Sequence, residues 1–154
     1  MASQLRVDKI VPVDGVPTGG GGGIVQVQST TLTTQVAVTV ASGANTTFYD
    51  VSGLSVSITP KFNTSKILVM VQMCMATSQT TQRMGVRLRR DSTTIGASTA
   101  TGSSNNVGSI ASLEAHREYQ SIPVNFHFLD SPATTSSVTY KPQVAQENLS
   151  LIHI

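Results

Sequence analysis

The stretch SKILVMVQMCMA, residues 65–76, decides the fold. From Ile67 to Ala76 it is apolar except for Gln72, and no other apolar run in the chain is as long. It is too short to cross a bilayer as a helix, which needs about 20 residues. Apolar residues occupy both alternating faces, so the run is expected as a central strand with cover on each side. Cys74, the single cysteine, is expected inside it as a small buried hydrophobe. One cysteine also excludes an internal disulfide and a thiolate metal cluster.

The flanking segments are shorter strands punctuated by turn residues. RMGVRLRRD (83–91) alternates Met84, Val86 and Leu88 against Arg83, Arg87 and Arg89, a half-exposed strand with an arginine stripe. TFYDVSGLSVSITP (47–60) sets Leu54, Val56 and Ile58 against serines and ends at Pro60. TQVAVTV (34–40) alternates valines, and IVQVQ (24–28) opens the series. Beyond the small, polar loop 97–109, LEAHREYQSIPVNFHFLDSP (113–132) alternates Ile122, Val124, Phe126 and Phe128 with Asn125 and His127. SSVTYKPQV (136–144) and NLSLIHI (148–154) supply two more strands, the first placed at a sheet edge because Pro142 lacks a ladder donor. SLEAHREY (112–119) could form one helical turn at most. The expected fold is all-β, an antiparallel β-sandwich or jelly roll of roughly eight strands.

Residues 1–23 differ in kind. LRVDKIVPVDGVPT carries Pro12, Pro17 and Gly15 among isolated apolar residues and reads as an extended arm. Gly19, Gly20, Gly21, Gly22 and Gly23 follow. A phosphate loop would need a preceding strand, a following helix and a Lys-Ser/Thr pair; here the run enters IVQVQ, with no lysine. As a linker, five glycines span about 12 Å. The chain therefore divides into an arm with a glycine linker, 1–23, and a β-domain, 24–154. MASQLRVDKIV lacks the apolar core of a secretory signal, so synthesis in the cytoplasm is expected.

Charged residues make up 12% of the chain and aromatic residues 5%, which suits catalysis poorly and a structural β-protein well. The net charge of +2 is too small to suggest nucleic acid. Arg83, Arg87 and Arg89 could grip an anion, or pair with Glu114 and Glu118 within the chain or between subunits. His116 stands between those glutamates and could join them on one strand face as a metal or acid–base group. Surface balance of the arginines is the preferred reading. His127 is expected to face outward opposite Phe126 and Phe128. No GxSxG motif is present, and no enzyme activity, cofactor or metal is expected.

The N-terminal MASQLRVDKIVPVDGVPTGGGGGIVQV, the stretch DVSGLSVSITPKFNTSKILVMV, the hairpin FLDSPATTSSVTYK and the terminal NLSLIHI together resemble small virion structural proteins of tailed phages, particularly phages of aquatic bacteria. The matches cover most of the chain; PQVAQE (142–147) is shorter than the corresponding hairpin of such proteins. The resemblance implies a tail-fibre, head-fibre or capsid-decorating protein, typically a homotrimer, located in the virion. Residues 1–18 would contact other virion proteins, burying Leu5, Val7, Ile10, Val11 and Val13 on a partner surface, for example by strand addition. A host-surface glycan is a candidate ligand, with 97–109 and 130–137 as the contact loops; no membrane insertion is implied. A free carbohydrate-binding module and a small hydrolase using His116 are the alternatives from other classes.

Overall fold

The computed structural model describes residues 24, 26–40, 47–80, 82–97, 109–146 and 150–154. The arm 1–23, with its apolar and glycine residues, and most of the loop 97–109 lie outside the described residues. Ten strands are seen and no helix among the described residues: β1 (Ala37–Val40), β2 (Tyr49–Asp50), β3 (Val56–Ile58), β4 (Ile67–Thr77), β5 (Gln82–Arg90), β6 (Thr93–Ile95), β7 (Ala111–Ala115), β8 (Ile122–Asp130), β9 (Val138–Gln146) and β10 (Ser150–His153). All pairings are antiparallel. One sheet runs β1-β10-β4-β8. The other is centred on β9 and β5, with β2 and β3 beside β9, and β6 and β7 beside β5.

The two sheets share a core. Val38, Met73, Met75 and Val124 from the four-stranded sheet meet Met84, Val86, Ala115 and Val144 from the other. A second cluster joins Val69 to Leu88, Val138 and Tyr140. In β5 the alternation decides the faces as expected: Met84, Val86 and Leu88 are fully buried, while Arg83, Arg87 and Arg89 lie on the opposite side. In β8, Val124 is buried and Phe126 and Phe128 are partly so, while Asn125 and His127 are exposed.

β4 departs from the expectation. Its inward residues are Val69, Met73 and Met75, but Leu68, Met70, Gln72 and Cys74 are exposed. The strand is interior to its sheet, yet it is covered on one face, and Cys74 is not buried. Side-chain polarity identifies residues able to be buried; it does not show that a second layer exists to bury them.

Two further expectations are corrected. Pro142 belongs to β9, which is flanked on both sides, not to an edge strand. It is tolerated because β2 pairs with Gln143 and Val144 and β3 with Val138 to Tyr140, so the ladder on that side is already interrupted at Pro142. SLEAHREY makes no helix: Ala111–Ala115 pairs with β5, and a turn follows in which the Tyr119 N–H donates to the Thr77 carbonyl at 2.7 Å.

Turn chemistry fixes the remaining joins. Leu54 N–H donates to the Val51 carbonyl, and Gly53 takes φ +79°, as a type II turn demands. Asp91, at φ +51°, turns β5 into β6; its N–H donates to the Thr139 carbonyl while its carboxylate accepts the Thr139 N–H.

Candidate functional site

The largest polar group on the outward face of the six-stranded sheet is built by register. Arg87 lies opposite Gln143 and Arg89 opposite Lys141, and Asp50 on β2 pairs with Gln143 from the other side. Three strands thus bring together side chains far apart in sequence. Arg87 Nε donates to Gln143 Oε1 at 2.6 Å, Gln143 Nε2 donates to Asp50 Oδ1, and Lys141 Nζ donates to Asp50 Oδ2. The Arg87 guanidinium also sits 4.2 Å from the centroid of the Phe48 ring, a cation–π contact that holds it in place. Arg89 donates to the Ser92 carbonyl.

The electrostatics follow from this wiring. The Lys141 ammonium holds the Asp50 carboxyl below the usual carboxylate range, against the effect of partial burial, and the Gln143 amide adds to it. Burial lowers the Arg87 pKa, with the neighbouring Arg89 charge acting in the same sense. Three cations face one carboxylate, so the patch is net positive. A shallow hollow of about 440 Å³ adjoins it, lined by Asp50, the turn Val51–Ser55, Asp91, Thr139 and Lys141. Hydroxyls, two carboxylates and an ammonium at a shallow opening suit reversible contact with a polar, hydroxyl-bearing group.

A second polar cluster is structural. Arg90 Nη1 donates to both oxygens of Asp130 at 2.8 and 2.7 Å, and the Tyr140 hydroxyl donates to Asp130 Oδ2 at 2.6 Å. Asp130 ends β8 of one sheet, whereas Arg90 and Tyr140 belong to the other, so this buried group clasps the sheets together. Burial, and then the bond to Asp130, push the Tyr140 pKa up, and Asp130 raises that of Arg90.

The residues singled out in the sequence separate in space. Arg83 pairs with Glu114 at 3.7 Å across the β5–β7 ladder, on the exposed surface. Arg87 and Arg89 belong to the Asp50 network. Glu118 and His116 lie in the turn after β7, so the three residues do not share a strand face, and among the described residues no group of metal-ligating side chains is assembled. Sequence reading missed Asp50, Lys141 and Gln143, whose partners stand 56 to 93 residues away. Compared with known proteins, the chain matches no family model, no curated protein and no solved structure.

Proposed function

We propose that this chain is a virion structural protein of a tailed phage. Its β-domain projects from the particle as a short fibre-like or decorating subunit, and residues 1–23 attach it. The observation that carries the reading is the strand order. Counting β2 with β3 as one strand, and β6 with β7 as one, eight strands in chain order fall into sheets 1-8-3-6 and 2-7-4-5. This order supports reading the domain as a jelly roll, an architecture used by viral capsid and lectin domains. The resemblance of the N-terminal, central and hairpin segments to small virion proteins supports the same reading. Its partners on this view are copies of itself and the virion proteins that receive residues 1–18.

The test is direct. Mass spectrometry of purified particles should find the chain, and immunogold labelling should place it on tail or capsid. A chain lacking residues 1–23 should fold and be absent from particles. Normal incorporation of that truncated chain would overturn the anchoring role, and absence of the full chain from particles would overturn the reading itself. The hollow beside Asp50 favours one second reading, a glycan-binding jelly roll. Selective glycan binding by the full chain, lost in Lys141→Ala, would establish it.

A further inference from the structure

The outward face of β4 and β8 carries no Asp, Glu, Lys or Arg and has no covering layer among the described residues; it is apolar at Leu68, Met70 and Leu129 and polar at Gln72, Asn125 and His127. Leu68, Met70 and Leu129 are 57%, 76% and 56% exposed. The register sets Leu68 opposite Leu129 and Met70 beside them, opposite His127, so the three form one patch; Cys74 lies on the same face beyond the Gln72–Asn125 pair. Scattered exposed apolar residues need no explanation, but adjoining ones on one sheet face mark a contact surface. β8 also ends its sheet, so one side of a strand of 9 residues has no ladder partner among the described residues. An open edge of this kind is a template for another strand.

The same chain offers a strand to fill it. Ile24 and residues 26–31 make no ladder and are exposed throughout, Ile24 at 86% and Val27 at 74%. The sequence IVQVQSTT is valine-rich and carries no charge, which matches the uncharged face and gives an anionic partner nothing to bind. Leu32 and Val36 pack against the core, so the domain holds this segment by its C-terminal end. The chain does not lay the segment on its own β8 edge.

We propose that the β4/β8 face is an interface between copies of this chain. Residues 26–31 of one copy pair with the free edge of β8 in the next, and the domain that follows seats over Leu68, Met70 and Leu129. Donor and acceptor are different surfaces, so the contact is heterologous: it makes a ring where the rotation between copies closes and a filament where it does not. The inference gives a surface to the self-association in the functional reading, but it is tested on the isolated full chain, so it can fail while incorporation into particles stands, and the reverse.

Cys74 lies on the face and is the only thiol, so its reactivity reports whether the face is covered. The full chain should sediment as an oligomer at micromolar concentration. Its Cys74 should react with a thiol reagent about tenfold more slowly than in Met70→Asp, which loses the association. Val27→Asp should lose it equally. Circular dichroism checks that each variant is folded, and Leu129→Lys carries the test if Met70→Asp is not. A monomeric full chain with freely reactive Cys74 overturns the proposal, as does an oligomer that survives both face variants. Dissociation by Met70→Asp but not by Val27→Asp overturns the assignment of the segment, since the copies would then meet through the face alone.

Discussion

Asp130 has no water to fall back on: its carboxylate is buried and its partners, Arg90 and Tyr140, come from the facing sheet. Removing one member of such a group leaves the others buried without compensation, which costs more than the net value of the contact. Asp130→Ala should therefore lower unfolding free energy by about 3 kcal/mol in denaturant titration. Tyr140→Phe, which removes one bond to the carboxylate and leaves Arg90 in place, should cost about 2 kcal/mol. Two residues give opposite pH limbs. The Tyr140 pKa is raised above its ordinary 10.0 in the folded chain, so its contribution is whole below that value and is lost as pH climbs past it. Tyr140→Phe should flatten that alkaline loss. The Asp50 pKa is lowered from 3.8, so its contribution is whole above that value and disappears as pH falls through the depressed one. Stability curves of the parent and Asp50→Asn should therefore differ at neutral pH and converge in acid.

Among the elements, β4 gives the sharpest contrast because its two faces have similar residues and opposite surroundings. Met75→Ala on the inward face should cost about 3 kcal/mol through the lost transfer energy and the cavity left behind. Leu68→Thr on the outward face should change monomer stability by no more than about 0.5 kcal/mol. The turn after β6 is equally decided: Gly96 takes φ +65°, and an added Cβ would lie 2.7 Å from the Phe128 ring. Gly96→Ala should thus destabilise by about 2 kcal/mol, read from the denaturation midpoint. These elements also explain how far the sequence could be read. The inward side of β5 was legible because Met84, Val86 and Leu88 alternate with Arg83, Arg87 and Arg89; Arg90, which follows on the inward side, is held there by Asp130. That of β4 was not, because Leu68, Met70 and Cys74 suit a core as well as Val69, Met73 and Met75 do. The arginines of the polar network were visible as a stripe, but register across β2, β5 and β9 assembles the network, and no local pattern encodes register between segments so far apart. Pro142 misled for the same reason: its tolerance depends on where β2 stops and β3 begins.

At the scale of the whole molecule, the clasp and the shared core make the two sheets interdependent. Met84 and Val144 bury against Met73 and Val124, so each sheet would expose its apolar face to water once separated from the other. Thermal unfolding should accordingly be a single transition, with far-ultraviolet dichroism and tyrosine fluorescence giving the same midpoint.

β9 and β10, the last strands in chain order, each sit inside a sheet, the first between β2/β3 and β5, the second between β1 and β4. During synthesis, the strands that precede them emerge without the neighbours they need, and the sequence distance to be closed is nearly that of the domain. Loop closure of that length is slow and its reward comes late. A ribosome-bound chain ending before Val138 should be cut readily by protease, and resistance should arrive only once Ser150–His153 has cleared the exit tunnel. The order of translation thus holds back folding, and with it any meeting between copies, until β10 has emerged.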